Sequence, residues 1–298
     1  MNKKTKLIIF LLALALLGGW FFDYHRSLQP AILGDSEINE EIKQTTGVEL
    51  HFFDVGQGDG ALIEADSGEK ILVDAGADNR IIELLDAEID WNRVIDAVII
   101  THPHADHIGG LSEILNRYQI KKIIMTGILH TAPDYLTTLK LIEDKKIPVE
   151  LIDTTKQLVF GSTTLSFLYP DVSLAGQRMS NLNNSSIVFR LDYVSSSALF
   201  MGDYENEEEL VKNQNFLEAQ VLKIGHHGSN NANDKLFLQT VKPKYAVISV
   251  GLNNKFNHPH HRCLYYLNNL GVKIFRTDEV GSVVFSSQGQ EFIPLIEN

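Results

Sequence analysis

Cysteine is nearly missing: Cys263 is the only one in 298 residues. That excludes an intrachain disulfide and a metal cluster built on several thiolates. Cys263 sits in a helical pattern, HRCLYYLNNL, and reads as packing filler. No serine lies in a nucleophile motif, so triad chemistry has no candidate nucleophile. Basic charge is also short. Lys and Arg total 26 against 38 Asp and Glu, a net charge of −12. That argues against a broad basic surface gripping nucleic acid through its phosphates. Bound cations would still supply positive charge locally. After Val48 there is no Pro/Ser/Gly tract, no charge block and no repeat at fixed period, so a single domain is expected over residues 47–298.

Long hydrophobic runs are scarce too. Leu7 to Phe22 gives 16 uncharged apolar residues, below the roughly 20 of a comfortable span. Lys3, Lys4 and Lys6 precede it, which is the pattern of a signal peptide or a signal anchor. Gly18 and Gly19 are followed by bulky Trp20, Phe21 and Phe22, so no small-x-small cleavage site closes the run. No cysteine follows for a lipid anchor. Residues 1–25 are therefore expected to form an uncleaved single-pass anchor in the cell membrane. The lysines stay inside and the rest lies outside. A cleaved signal and a secreted product are the alternative. Residues 26–46, mixed polar with Pro30 and Gly34, read as a linker.

What the chain has in quantity is histidine at the end of an apolar run. Val94 to Ile100 (VIDAVII) reads as a buried strand leading into THPHADHIGGL. His102, His104, Asp106 and His107 fall within six positions. Imidazole and carboxylate are ligands that zinc, manganese and iron accept. Four of them exceed what one small loop aims at one ion, so the spacing suggests two metals. Other apolar runs end in similar groups. ILVDAG ends in Asp74, ALFMGD in Asp203, VLKIGHHGS in His226-His227, and AVISVGLNNKFNHPHH near His258. If these runs are neighbouring strands, their ends converge along one edge. Helical patterns at 79–87, 111–118, 133–145, 205–213 and 234–240 alternate with short strands, which suits two facing sheets with helices outside.

The order of these motifs resembles the metallo-β-lactamase fold superfamily. FDVGQGDG, VDAG, THPHADHIGG, NNSSIVFRL, MGD, LKIGHHGS and NHPH resemble the nuclease-like domain of ComEC-type competence proteins and its stand-alone hydrolase relatives. The likeness runs from about Val48 onward. It does not extend to a multi-pass channel, so DNA transport is not expected of this chain. The resemblance implies an α+β fold, an αββα four-layer sandwich, here preceded by one N-terminal hydrophobic helix. It also implies two divalent ions, zinc or manganese. His102 and His104 would bind the first, Asp106 and His107 the second, and Asp203 both. Asp74 would hold the histidine loop from outside, as such partners orient ligands. Asp54 and Asp59 flank the tight glycine turn and are expected to hold that turn and the nearby histidine loop rather than act chemically.

The superfamily's further histidine between the loop and the bridging aspartate has no clear counterpart. Only His130 lies there, so the Asn183-Asn184-Ser185 region or the His226-His227 pair would take its place. One of His226, His227 and His258 would complete the second metal, and another would meet the substrate. Asn184, Ser185 and Ser229 are further substrate-contact candidates, although Ser229 and Asn230 also suit a helix cap. His260 and His261 are expected to be exposed.

Two ions of this kind would bring the pKa of a bound water toward about 7 and clamp an electrophile's oxygens. Asp106 and His227 are the candidate catalytic groups. The expected function is an extracytoplasmic dinuclear hydrolase, a phosphodiesterase or nuclease. Hydrolysis of another ester (phosphorylcholine or β-lactam type) and a non-catalytic metal-binding module are the alternatives. The expected partners are a phosphodiester, nucleic acid included, and the membrane through the N-terminal segment. Nothing in the sequence signals a protein partner.

Overall fold

The computed structural model describes residues 47–213 and 216–295. The expected anchor and linker, and with them the N-terminal hydrophobic helix, lie outside those residues. Among the described residues no helix is long and apolar enough to cross a membrane.

In chain order the strands are β1 (Val48–Phe52), β2 (Ala61–Glu64), β3 (Lys70–Val73), β4 (Val94–Ile95), β5 (Ala97–Ile99), β6 (Gln119–Ile120), β7 (Ile123–Met125), β8 (Val149–Leu151) and β9 (Lys156–Phe160). There follow β10 (Thr163–Tyr169), β11 (Val188–Tyr193), β12 (Ser196–Phe200), β13 (Val221–Lys223), β14 (Tyr245–Ile248), β15 (Lys273–Arg276), β16 (Val283–Ser287) and β17 (Ile293–Leu295). The helices are α1 (Arg80–Glu88), α2 (Ala105–Ile108), α3 (Leu111–Arg117), α4 (Pro133–Asp144), α5 (Glu207–Asn213), α6 (Lys235–Val241), α7 (His261–Asn269) and α8 (Thr277–Val280).

Two large sheets form, ordered β17-β16-β1-β2-β3-β5-β7-β8 and β15-β14-β13-β12-β11-β10-β9. Each starts as an antiparallel meander and continues with parallel strands: β3, β5, β7 and β8 in one, β12 to β15 in the other. Parallel strands need covered faces because their crossovers are helices. The burial obeys this. One apolar cluster joins the inner faces of both sheets, including Leu50, Phe52, Phe167, Phe189, Phe200 and Phe285. A second lies between the first sheet and α1, α3 and α4, and a third between the second sheet and α5, α6 and α7. The result is the four-layer helix–sheet–sheet–helix sandwich. Phe189 stacks on Phe200 at 4.7 Å and Phe52 on Phe200 at 5.6 Å, tying the two sheets at their centre.

One expected strand is broken. Val94 to Ile100 does not run through. Val94–Ile95 pairs with Gln119–Ile120 in a separate two-stranded ribbon, and β5 begins at Ala97. Asp96 stands at the break, where its carboxylate accepts from Lys70 N (2.9 Å) and Lys121 Nζ (2.6 Å). A charged side chain so engaged cannot continue a buried strand.

The topology fixes the site. Asp74 follows β3, the histidine loop follows β5, Asp203 follows β12, His226-His227 follows β13, and the segment to His258 follows β14. Loops at the C-terminal ends of parallel strands gather at one edge, and here two sheets contribute.

Candidate metal centre

The first-sheet half is built around Asp74, which is fully buried and has φ +56°. Its Oδ1 accepts from Thr101 N at 2.8 Å, and its Oδ2 from Thr101 Oγ1 at 2.6 Å and His107 Nδ1 at 2.8 Å. These bonds set tautomers. His107 carries its proton on Nδ1, so Nε2 is free to point inward. The Thr101 hydroxyl, having donated to Asp74, accepts from His102 Nδ1 at 3.1 Å, so His102 also turns Nε2 inward. His104 caps the short helix α2 and presents Nδ1 2.9 Å from His102 Nε2. Gly58 lets the glycine turn close over this loop: a Cβ there would lie 2.1 Å from Asp106 O. The approach allows Asp59 N to donate to Asp106 O at 3.1 Å.

The second-sheet half supplies Asp203 and the double histidine. Ser186 Oγ accepts from Asp203 N at 3.0 Å. His226 and His227 are both left-handed, at φ 46° and 50°, a conformation costly outside glycine. The turn is clamped by buried Asn233, whose amide oxygen accepts from Gly225 N (3.0 Å) and whose nitrogen donates to Gly225 O (2.8 Å). Glu207 in turn accepts from the backbone N–H of Asn233 (2.5 Å) and Asp234 (2.8 Å). His227 donates from Nδ1 to Ser249 O at 2.9 Å, so its Nε2 also faces the centre.

The halves meet at Asp203 Oδ2. It lies 3.3 Å from His107 Nε2, 3.6 Å from His227 Nε2, 3.8 Å from His102 Nε2 and 4.0 Å from His226 Nε2. His227 Nε2 is 3.4 Å from Asp106 Oδ2. Nitrogens bound to one tetrahedral ion at about 2.0–2.1 Å stand about 3.3 Å apart, close to this spacing. His107 Nε2, His227 Nε2 and Asp203 Oδ1 are buried without a hydrogen-bond partner. Orphaned buried donors and acceptors are rare and call for a reason. Lone pairs converging from two sheets fit a divalent cation.

Electrostatics agrees. Burial penalises an imidazolium at His227, yet Asp203, Asp106 and Asp59 hold its proton up to about 10. His107 is raised well above the ordinary range despite burial, by Asp203 and Asp74. Asp203, against burial, is held well below the carboxylate range by His227, His107 and His102. The acids demand positive charge, and a divalent ion would meet that demand by displacing the protons. His102 goes the other way: burial and then His107 depress it, favouring the neutral form a ligand needs.

Comparisons with known proteins decide the family. The profile of the metallo-beta-lactamase superfamily matches residues 53–251. The chain belongs to that superfamily. Curated relatives include ComE operon protein 3 of Bacillus subtilis, 27% identical over 80% of this chain and 33% of that protein. Competence protein ComA of Neisseria gonorrhoeae is 29% identical over 78% of this chain and 31% of that protein. The chain thus spans about a third of the length of these relatives. Among solved structures, the metallo-beta-lactamase fold protein YhfI of Bacillus subtilis superposes with a TM-score of 0.54 at 14% identity, over 81% of this chain and 100% of that one. At that identity the likeness is one of fold alone.

Superfamily members are generally metal-dependent hydrolases, and the expected residues can be placed against that background. His102, His104, Asp106, His107, Asp203, His226 and His227 come together, with Asp74 behind them. His258 approaches from the second sheet, its ring 5.4 Å from His226 and 6.2 Å from His227. His130, without a motif, packs on Tyr135 at 6.4 Å. Asp54 holds the glycine turn, as expected of it: its Oδ1 accepts from Gly56 N at 3.1 Å. The polar side chains of Asn184 and Ser185 bond to backbone groups. Asn184 Oδ1 accepts from Glu205 N at 3.0 Å, and Ser185 Oγ donates to Leu182 O at 2.7 Å. Both groups are used up in folding the loop, as turn formers usually are. Ser229 likewise accepts from Asn231 N at 3.2 Å.

Three residues at the centre were not expected there in these roles. Asn183 donates to Glu205 Oε1 at 2.9 Å beside His226 Nδ1, which is 3.3 Å away. Glu205 pairs with His226 Nδ1 at 2.7 Å and so aims its Nε2 at Asp203. Lys223, buried at the end of β13, donates to Asp59 Oδ2 at 2.7 Å, and Asp59 Oδ1 lies 3.3 Å from His227 Nδ1. A charged residue inside an apolar strand was the available signal for Lys223. The spacing of Glu205, two positions after Asp203, was the signal for the other.

Proposed function

We propose that the chain is a dinuclear metal-dependent phosphodiesterase, acting outside the membrane that residues 1–25 would anchor it to, with residues 47–298 as the hydrolase domain. One observation carries this reading: ligand atoms from both sheets fall into two overlapping sets, each compact enough to hold one ion. His102, His107 and Asp203 form one set, and Asp106, His107 and His227 the other, with His104 Nδ1 2.9 Å from His102 Nε2. The sets contain nitrogen and oxygen only, which zinc and manganese both accept. Bound there, such ions supply Lewis acidity, an acidified water, and stabilisation for both attacking and leaving oxygens of a phosphodiester.

The chain's own residues do the rest. Asp74 and Thr101 keep His102 and His107 in the right tautomers. Asp106, half-buried at the mouth, accepts a hydrogen bond from the attacking water and orients it. His226, held by Glu205 and Asn183, faces the phosphoryl oxygens from the second-sheet side, and His258 flanks it. The similarity to competence proteins supports a nucleic-acid phosphodiester over a β-lactam or a phosphorylcholine ester.

The test is metal analysis of the purified chain, followed by a substrate panel with Mn²⁺ and with Zn²⁺. The panel holds bis-p-nitrophenyl phosphate, single- and double-stranded DNA, p-nitrophenylphosphorylcholine and a chromogenic β-lactam. Two metal equivalents and diester hydrolysis lost in Asp106→Ala are expected. Less than one equivalent, unchanged in His104→Ala, would overturn the reading, and hydrolysis of the β-lactam or choline ester alone would replace the substrate class.

A further inference from the structure

Charge is distributed unevenly along this acidic chain. Residues 219–277 hold eight Lys and Arg against one Asp, while the remainder holds 18 against 37 Asp and Glu. Several of the eight are spent on carboxylates: Lys223 on Asp59, Lys242 on Glu218, Lys244 on Glu291, and Arg276 on Asp278. Lys255 and Arg262 are exposed and have no ion-pair partner among the described residues. Both lie on the segment that leads from β14 past His258 into α7, beside the centre.

The same segment carries a path of rings. His258 lies edge-on to His226 at 5.4 Å. Phe256 stacks on His258 at 5.6 Å with only 23° between planes. Phe256 is 45% exposed, and Lys255 Nζ stands 5.0 Å from its centroid. His258 Nδ1 is buried without a partner. Asn254 knots the loop: its Oδ1 accepts from Phe256 N (3.1 Å) and His258 N (3.0 Å), and its Nδ2 donates to Gly251 O (3.0 Å) and His258 O (2.7 Å). The phenyl ring is therefore held in place before any ligand arrives, which lowers the ordering cost of binding.

We propose that this loop is a stacking subsite for single-stranded nucleic acid, with Phe256 receiving an unpaired base and Lys255 and Arg262 meeting the backbone phosphates on the same side of the scissile bond. The inference rests on the phosphodiesterase reading for its scissile bond, but binding at the loop does not. Aromatic platforms beside cationic side chains bind single strands because every base offers a π-face. A duplex keeps its bases stacked on each other and brings twice the charge to a protein of net −12.

The test uses the full chain loaded with Mn²⁺. Fluorescence anisotropy follows binding of a phosphorothioate oligothymidylate, an abasic oligomer of equal length, and a duplex. Phe256→Ala should weaken oligothymidylate binding roughly tenfold and the abasic oligomer far less, and Phe256→Trp should restore it. Lys255→Ala should lower the salt slope of binding by about one. Cleavage of the normal oligothymidylate should show the Phe256 effect in KM rather than kcat. Equal loss on the base-bearing and abasic oligomers, tighter binding of the duplex, or no binding by the wild-type chain would overturn the subsite. Phe256-dependent binding without cleavage would instead keep the subsite and sink the phosphodiesterase reading.

Discussion

The histidine loop after β5 and the double-histidine turn after β13 aim side chains at one aspartate, yet they are built differently. The first keeps the backbone of the loop itself out of the left-handed region and leans on one buried acid, Asp74, which alone is left-handed at φ 56°. Asp74 makes three bonds that set both the path of the loop and the tautomers of His102 and His107. The second puts His226 and His227 in left-handed backbone and relies on distant groups: Asn233, Glu207, Ser249 O and the Asp59–Lys223 pair. Each such residue stores on the order of 1–3 kcal/mol of strain, which the clamp must offset. The first half is thus defined by local spacing plus one acid. The second is defined by tertiary contacts, and its geometry should fail with the fold around it.

The sharpest contrast lies between Asp74 and Asp59. Asp59→Asn would leave Lys223, itself buried, without a countercharge. Breaking a buried pair from one side costs roughly 3–5 kcal/mol, so urea denaturation should show a large stability loss. Ser249 O would still hold His227, and metal affinity should fall modestly. Asp74→Asn should do the reverse. Its Oδ2 takes protons from both Thr101 and His107, and an amide cannot accept from both on that side. Loss of such an outer partner lowers metal affinity roughly 10–100-fold, read by titration against a competing chelator. Equal effects of the two variants on both measurements would break the comparison.

The same difference explains what the sequence disclosed. The set His102, His104, Asp106 and His107 is legible because a six-residue spacing at a strand end determines it. Asp74 and Asp203 were legible as polar ends of apolar runs, and the alternation of runs and helices foretold two covered sheets. His226 against His227 was not legible. Their direction depends on left-handed torsions and on Ser249 O, 22 residues away. For Asn184 and Ser185 the resemblance marks only the segment, and within it the bond to His226 is made by Asn183. The break at Asp96 was hidden because its partners, Lys70 and Lys121, lie 26 and 25 residues off.

A medium effect should come from Glu207, which backs the second turn. Burial pushes its carboxyl up to about 8 from 4.5, although two backbone N–H groups oppose the rise. A raised carboxyl favours the neutral form in the folded chain. Its contribution to stability is full below pH 4.5 and is lost as pH climbs through about 8. Melting temperature measured in chelator should therefore fall with pH more steeply in the wild type than in Glu207→Gln across that window. A steeper fall in the variant would remove Glu207 from the clamp.

The smallest effect concerns Cys263, on α7 beneath the second turn. A Cβ on Gly228, which has φ +80°, would meet Pro259 Cβ at 2.6 Å and Cys263 Sγ at 3.7 Å. The thiol therefore lies directly under the turn that carries His226 and His227. Burial pushes it up to about 12, so at pH 8 almost none is thiolate in the closed protein, and a thiol reagent must wait for α7 or the turn to open. A ligand that binds the closed form reduces the open population by mass action. Metal should slow modification of Cys263 several-fold, and chelator should restore the rate. The histidine loop, braced by Asp74 and the glycine turn, has no comparable reporter, so the thiol isolates the second half. If Cys263 reacts at one rate with and without metal, the double-histidine turn is held by the fold alone, and its tertiary clamp rather than the bound ion fixes His227.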